Sequence, residues 1–209
     1  MKYRPHTYVL DHLMCSGIFR INRALRSGSD AALDRECSAI LDYFGWTSQR
    51  EFVNAVGQLF SDYQALGLLG SHAGQKALRS MWVTPNQLAQ ITRERLIWDD
   101  GYAFCCEGVD EAAAHLSEGE RGMKEVAPEA RIPLLVEFTL GRHALTIPPP
   151  GEAFPLQPRD DGETMYLSSL QDVQHILDRR SLIRLTSIER YPHSGFPEGT
   201  WRAVGTHVY

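Results

Sequence analysis

The chain has 209 residues, a net charge of −5 at neutral pH and a sequence pI near 5.9. This acidic balance argues against broad nucleic-acid binding, which relies on an excess of Lys and Arg to neutralise phosphates. At 43% hydrophobic and 22% charged residues, the composition is that of a globular protein large enough for one sizeable domain or two small ones. No run of about 18 apolar residues occurs, so no membrane span is predicted.

The first 75 residues carry apolar side chains at helical spacing. Helices are predicted from Thr7 to Leu25, from Ala31 to Phe44, and from a third start at Thr47 or Ser48. Packed together, they predict a helical bundle that forms a subdomain over residues 1–75. Arg50 is the one basic residue of the third helix, which argues against a DNA-reading role. The N-terminal residues lack the apolar core of a signal peptide, which predicts a cytoplasmic location.

The stretch from residue 81 to residue 116 alternates short strands and helices. Thr84 is predicted to cap a helix that begins at Pro85, where the missing N–H costs no hydrogen bond. Asp99-Asp100-Gly101 has the composition of a tight turn. The other predicted elements of this stretch are strands at Met81–Val83 and Tyr102–Cys106 and a helix at Val109–Leu116.

The remainder of the chain is predicted to consist mainly of strands. Ile132–Leu140 is the clearest of them, because it is rich in apolar and β-branched residues. The polar residues 117–130 are predicted to be a solvated helix or loop. The remaining predicted elements are strands at Ala144–Ile147, Glu163–Leu167 and Leu182–Tyr191, a helix at Leu170–Leu177 and an edge strand at Trp201–Val208. The fold class predicted is α+β, with a mixed, mainly antiparallel split sheet and peripheral helices over residues 76–209.

Cysteine and histidine spacing predicts no metal site. The four cysteines include no C-x-x-C pair, and the adjacent Cys105 and Cys106 should face opposite sides of a strand. We interpret them as buried thiols of a protein in a reducing compartment. The eight histidines form no motif with the spacing of known metal ligands.

This order of elements, from the Met81 strand through the Asp-Glu-Ala-Ala helix to the long Ile132 strand, resembles the ADP-ribosyltransferase fold of compact bacterial and phage type. The resemblance covers about residues 81–191. In that family the first strand usually brings a His or Arg next to a Thr or Ser. Here Val83 precedes Thr84 at the predicted position, so this part of the family pattern is missing there.

The resemblance implies NAD as cofactor and a cleft beside the first strand. Trp82 and Thr84 would take the place of the first-strand residues that contact the dinucleotide. Tyr102 or Phe104 would offer an aromatic face to the nicotinamide. Glu163, or alternatively Asp161, would be the catalytic acid on a later strand. A carboxylate suits this chemistry because cleavage of the N-glycosidic bond develops positive charge on the ribose.

Two functions therefore remain open from the sequence. The first is an ADP-ribosyltransferase-like enzyme that modifies a protein target, as an effector, toxin or counter-defence factor. The second is a non-enzymatic acidic binding protein, such as an inhibitor, immunity or adaptor protein. The net negative charge and the acidic residues between Glu118 and Glu129 favour the second. Replacing Glu163 by Gln separates the two, because only the enzyme needs that carboxylate.

Overall fold

The computed structural model describes residues 6–13, 18–27, 45, 46, 48–126, 131–147 and 173–208. The helices in these ranges are α1 (His6–Leu13), α2 (Ile18–Ser27), α3 (Gln49–Ala65), α4 (Pro85–Glu94) and α5 (Val109–Val126). The strands are β1 (Lys76–Val83), β2 (Leu96–Asp99), β3 (Ala103–Cys106), β4 (Ile132–Thr139), β5 (Ala144–Ile147), β6 (Gln174–Leu177), β7 (Ser181–Arg190) and β8 (Trp201–His207). The predicted α+β class is confirmed.

The chain divides into two units, one formed by Met1–Leu69 with Ile147–Val173 and the other by Gly70–Thr146 with Gln174–Tyr209. In the first unit, α1 packs against α3. The predicted N-terminal bundle is not supported. The helix predicted at Ala31–Phe44 lies outside the described residues, and the single helix predicted at Thr7–Leu25 is described as two. The predicted division of the chain at residue 75 stays a prediction.

The start of α3 follows the predicted capping chemistry. The hydroxyl of Ser48 accepts a hydrogen bond from the Glu51 backbone N–H at 3.1 Å. This contact satisfies one of the backbone donors that every helix leaves unpaired at its first turn. The buried face of α3 is apolar and consists of Phe52, Ala55, Val56, Leu59, Phe60 and Tyr63. Its 3.6-residue periodicity is the signal from which the helix was predicted.

All eight strands join one hydrogen-bonded sheet in the order β2-β7-β8-β4-β1-β3-β6-β5. Strands β4 and β8 are parallel, whereas β1–β3, β1–β4, β2–β7, β3–β6 and β7–β8 are antiparallel pairs. The mixed, mainly antiparallel sheet is thus confirmed. The predicted split is not seen among the described strands, since each hydrogen-bonds to its neighbour. The last strand was predicted at an edge, but it lies inside the sheet between β7 and β4.

Strand β4 lies near the middle of the sheet and is covered on both faces. Leu134 and Val136 belong to one apolar cluster, which includes Leu88 from α4. Leu135 belongs to the other cluster, which includes Leu116 from α5. Burial on both faces explains why β4 reads as a continuous apolar run rather than as an alternating one.

Tertiary pairing corrects two of the predicted elements, and the structure decides a third that the sequence left open. Strand β1 begins at Lys76, five residues before the predicted Met81, because all of Lys76–Val83 pairs with β4. Helix α5 continues to Val126 through the polar segment that was predicted as a helix or loop. Residues Gln174–Leu177 were predicted as helix and form β6. Four buried residues in a row fit either state, and the antiparallel partner β3 makes them a strand.

Helix α4 carries the predicted cap at its first turn. The Thr84 hydroxyl accepts from the Gln87 N–H at 3.1 Å, and the Gln87 side chain accepts from the Thr84 N–H at 2.8 Å. Arg95 ends the helix in the left-handed conformation, with φ of 56°. Among the described residues, none of the helices has both the length and the apolar character that crossing a bilayer requires.

Candidate functional site

Strands β1 and β2 bring a guanidinium and a carboxylate together inside the second unit. Arg79 and Asp99 form a buried ion pair, with side chains only 6% and 5% exposed. Asp99 also accepts from the Gly101 N–H at 2.9 Å, which fixes the predicted turn. The other terminal nitrogen of Arg79, Nη1, is buried with no hydrogen-bond partner among the residues that the structure describes. One strong donor of this pair is therefore unused.

Cys105 lies close enough to the ion pair for the charges of Arg79 and Asp99 to affect the pKa of its thiol. Its burial raises the pKa of the thiol to about 12, an effect that the Arg79 charge partly opposes. The thiol is therefore neutral at physiological pH and is not a reactive nucleophile. Cys105 and Cys106 belong to different apolar clusters, so the prediction that they face opposite sides of the strand is confirmed.

Two histidines and one glutamate from three separate segments meet at one end of β3. The Nε2 of His175 lies 3.1 Å from Glu107 Oε1, and the Nδ1 of His72 lies 3.5 Å from the same oxygen. The two imidazole centroids are 5.6 Å apart. One potential ligand atom from each residue lies within 4.8 Å of the other two. We call His72, Glu107 and His175 the His–Glu–His cluster.

The turn that carries His72 is tied to the sheet through its backbone. The Gly70 N–H donates to the Ala144 carbonyl and the Gly74 N–H donates to the Leu140 carbonyl, both at 2.9 Å. Gly70 has φ of +72°, and a Cβ there would lie 2.5 Å from the backbone oxygen of Arg142. Only glycine fits this close approach. The turn therefore sets the backbone position of His72 beside Glu107.

His175 is fully buried on β6, and both of its ring nitrogens have partners. The Nδ1 lies 3.0 Å from the Thr146 hydroxyl and the Nε2 contacts Glu107. Burial lowers the pKa of His175, and the nearby Glu107 carboxylate raises it in part. The imidazole is thus held in one orientation by a hydroxyl on one side and a carboxylate on the other.

A third polar group lies on the opposite face of the same strands. Gln174 donates from its side chain to the Glu111 carboxylate of α5. The Nε2 of His115, one helical turn further, lies 3.8 Å from that carboxylate. Because Gln174 and His175 are consecutive in β6, their side chains point to opposite faces. This group is therefore separate from the His–Glu–His cluster.

The residues predicted to contact the dinucleotide lie on β1, at the start of α4 and around β3. Trp82 is half-buried, and its indole N–H donates to the Leu116 carbonyl at 3.0 Å. Thr84 is occupied as the cap of α4. Tyr102 is 1% exposed, and its burial raises the pKa of the phenol. Phe104 is half-buried.

The predicted catalytic acids, Glu163 and Asp161, lie outside the described residues. Their role, like that of the four predicted cofactor contacts, stays a prediction.

Sequence reasoning missed both Arg79 and the His–Glu–His cluster. Arg79 was overlooked because the predicted first strand began too late. The full strand carries Arg79 next to Ser80, the pattern that the resembling family shows. The cluster was missed because its members are far apart along the chain, since His175 follows Glu107 by 68 positions. No local spacing signals such a group.

Neither a protein-family model nor a curated protein matches the sequence. Solved structures do match the fold. The Vis toxin, an ADP-ribosyltransferase from Vibrio splendidus, aligns over 98% of this chain and 73% of its own length, with a TM-score of 0.57 and 15% identity. The Clostridium limosum C3 exoenzyme aligns over 98% of this chain and 85% of its own, with a TM-score of 0.54 and 12% identity.

A third structure, an ADP-ribosyltransferase from Clostridium botulinum, aligns over 98% of this chain and 87% of its own. Its TM-score is 0.52 and its identity is 11%. At such low identity the likeness concerns the path of the backbone and not the site residues. The agreement extends over nearly the whole chain and matches the resemblance inferred from the sequence. The chain therefore has an ADP-ribosyltransferase-like fold.

Proposed function

We propose that this protein binds NAD and transfers ADP-ribose to a protein target. The observation that carries the proposal is the likeness of its fold to those of solved ADP-ribosyltransferases over 98% of the chain. One of these structures is described as a toxin and another as an exoenzyme. A role as an effector, toxin or counter-defence factor acting in a cytoplasm belongs to the same proposal.

The first strand supports NAD binding. Arg79 next to Ser80 gives β1 the basic and hydroxyl pair that is usual in the family. The buried Nη1 of Arg79 has no acceptor among the described residues, and an unpaired buried donor costs about 1–3 kcal/mol. A phosphate oxygen of NAD would relieve that cost. Because the Arg79 side chain is only 6% exposed and is paired with Asp99, it could join Trp82 and Thr84 as a contact of NAD only if ligand binding opens that ion pair to the phosphate.

Among the two proposed aromatic residues, Phe104 suits nicotinamide better than Tyr102. Phe104 is half-buried and can offer part of its ring, whereas Tyr102 is 1% exposed. A ring that stacks on a ligand must be reached from solvent before the ligand binds. Tyr102 is then a packing residue that supports the strand next to Phe104.

The reaction needs one carboxylate in two roles. As the bond between nicotinamide and ribose breaks, nicotinamide leaves as a neutral molecule and the ribose C1′ becomes cationic. The Glu163 carboxylate, or that of Asp161, stabilises this charge. A nucleophilic atom of the target then bonds to C1′ and passes its proton to the same carboxylate. Bond breaking, bond making and proton transfer therefore balance without a further reactant.

Calorimetric titration with NAD, together with measurement of released nicotinamide, tests the proposal. We expect saturable binding and slow nicotinamide release by the native chain. Glu163→Gln should keep binding but lower release by at least about a hundredfold, whereas the matched change Asp161→Asn should leave it within about threefold. The reverse result would make Asp161 the acid. Absence of both NAD binding and nicotinamide release would contradict the proposal.

A non-enzymatic binding protein is the second candidate function. It is favoured by the Arg79–Asp99 pair, because a guanidinium already neutralised by a carboxylate attracts phosphate less strongly. The net charge of −5 suits a basic protein partner. Under this alternative, Glu163→Gln and Asp161→Asn both retain activity in cells. Loss of cellular activity in a folded Glu163→Gln variant would exclude it.

A further inference from the structure

We propose that the His–Glu–His cluster, formed by His72, Glu107 and His175, binds one divalent transition-metal ion of the Zn²⁺ type. The cluster supplies two imidazole nitrogens and one carboxylate oxygen, a donor set that Zn²⁺ commonly accepts. Nothing in the proposed ADP-ribosyl transfer requires it. The metal-site proposal and the proposed function can therefore be tested independently of each other.

The spacing of the donor atoms fits a tetrahedral ion. With metal–ligand bonds of about 2.0–2.1 Å, neighbouring ligand atoms of a tetrahedron lie roughly 3.3–3.4 Å apart. The observed separations are 3.1 Å between His175 Nε2 and Glu107 Oε1, and 3.5 Å between His72 Nδ1 and the same oxygen. These two separations need to change by only a few tenths of an ångström, and the two imidazole nitrogens, which lie within 4.8 Å of each other, would have to approach to the tetrahedral spacing when an ion binds.

The ring of His175 is oriented so that its Nε2 can bind a metal ion. Its Nδ1 contacts the Thr146 hydroxyl at 3.0 Å, and a proton on Nδ1 leaves the lone pair on Nε2 directed at the cluster. The residue is fully buried on a strand, so its position is set by the sheet. Ligating imidazoles usually donate their other ring N–H to an oxygen acceptor, which fixes the tautomer, and the Thr146 hydroxyl oxygen is placed to accept in this way.

His72 brings the second imidazole on the anchored turn. Its Nδ1 now lies 2.9 Å from the Gln75 side-chain oxygen. Because Gln75 is exposed, its amide can turn into solvent when an ion takes that nitrogen. The backbone bonds of the turn to Leu140 and Ala144 do not involve either side chain. Metal binding therefore requires the proton on Nδ1 to leave or move to Nε2 and one exposed rotamer change, and it requires no movement of the sheet.

Solvent can reach the cluster from one side. The side chains of His72 and Glu107 are 32% and 39% exposed, whereas His175 is closed off. An ion can enter from that side, and a water molecule can complete the fourth position. Two nitrogen donors disfavour Mg²⁺ and Ca²⁺, which prefer oxygen ligands. The arrangement thus selects a transition-metal ion and ties the turn, β3 and β6 together.

Metal titration of the full chain after dialysis against a chelator tests the site. We expect one Zn²⁺ per chain by calorimetry and by elemental analysis, and no comparable binding of Mg²⁺. His72→Ala and Glu107→Gln should each weaken Zn²⁺ binding by at least about tenfold. The matched control is His115→Ala, which removes a histidine that also lies beside a glutamate but, among the residues that the structure describes, is not a member of a three-ligand group.

Two further readouts separate this site from scattered surface histidines. Free Zn²⁺ at about a hundred times the dissociation constant should raise the thermal midpoint of the native chain by roughly 5–10 °C. The same addition should have little effect on His72→Ala. Co²⁺ in place of Zn²⁺ should give the strong visible absorption of a four-coordinate ion. Thr146→Val should weaken binding less than the ligand changes do.

The proposal is overturned if the chain takes up no Zn²⁺ at one equivalent. It is also overturned if His72→Ala, Glu107→Gln and His115→Ala all bind Zn²⁺ as the native chain does. In either case the three residues are a hydrogen-bonded group in which one carboxylate serves two imidazoles. Absence of NAD binding would leave the metal result untouched, because no residue of the cluster belongs to the proposed NAD site.

Discussion

The buried Arg79–Asp99 pair and the His–Glu–His cluster are two charged groups on one sheet with opposite access to water. The pair is 5–6% exposed, whereas two members of the cluster are 32% and 39% exposed. By strand register, Arg79, Cys105 and His175 share one face. Charges removed from water depend on each other for stability, whereas charges at the surface can exchange partners. In the ligand-free protein the pair therefore supports the fold, whereas the cluster is accessible to a ligand from solvent.

Breaking the buried pair should have the largest effect on stability. Asp99→Ala leaves the Arg79 charge buried without its carboxylate and frees the Gly101 N–H, so unfolding free energy should fall by about 3–5 kcal/mol. Urea denaturation measures the loss. The matched change Asp110→Ala, at an exposed carboxylate in the first turn of α5, should cost at most about 1 kcal/mol. Equal losses would contradict the contrast between buried and exposed charges.

Removing the buried member of the cluster should have an intermediate effect. His175→Ala takes the ring partner from the Thr146 hydroxyl and leaves a cavity on β6, which should cost about 1–3 kcal/mol in metal-free protein. The same substitution at the exposed His193 should cost less, at most about 1 kcal/mol, because it removes only surface ring contacts with Tyr191 and Phe196. Denaturation of both variants in chelator checks this, and a negligible loss for His175→Ala would show that the buried ring supports nothing.

The side chain of Glu137 is 16% exposed, which lies between the exposure of the Arg79–Asp99 pair and that of Glu107. Its contribution to the free energy of unfolding should depend on pH. Hydrogen bonds from Lys76 and then Arg202 lower the pKa of Glu137. A carboxylate with a lowered folded pKa stabilises the protein above its ordinary pKa, and that stabilisation is lost as the pH falls through the folded pKa. Glu137→Gln should therefore cost about 1 kcal/mol at pH 7 and progressively less below about pH 4. Denaturation midpoints at several pH values measure this. A constant difference across that range would exclude ionisation as the cause.

The smallest effect on stability is expected where the proposed ligand effect is largest. Glu107→Gln removes an exposed charge and should change metal-free stability by no more than about 1 kcal/mol. The same variant should lose most of its Zn²⁺ affinity. Denaturation of this variant with chelator measures its metal-free stability, and denaturation with added Zn²⁺ measures how much Zn²⁺ still stabilises it. A large loss of stability in chelator would instead show that Glu107, like the Arg79–Asp99 pair, mainly supports the fold.

Local chemistry explains the elements that were predicted correctly. The Thr84 cap, the Asp99 turn and the opposite faces of Cys105 and Cys106 all follow from interactions within a few residues. The elements that were wrong depend on partners far along the chain. Gln174–Leu177 is a strand because β3 pairs with it, and Trp201–His207 is internal because β4 and β7 lie on either side.

The candidate sites, like the elements, depend partly on local order along the chain and partly on residues far apart in it. A resemblance in the order of elements was enough to predict an ADP-ribosyltransferase-like fold, which the solved structures support. It was not enough to find Arg79, since the strand start depends on pairing with β4. Nor could it find the His–Glu–His cluster, whose members lie on a turn, a strand end and a distant strand.

The amino-acid sequence alone determined the α+β class, the helix caps, the turns and the central apolar strand, because periodicity and capping act within one or two turns of chain. Tertiary structure alone decided which strands are neighbours and therefore which charged side chains meet. Pairing across a sheet is set by the collective burial of many residues, and no short stretch carries that information. The fold of this protein could be inferred from its order of elements, whereas its buried ion pair and its candidate metal ligands became visible only with the sheet assembled.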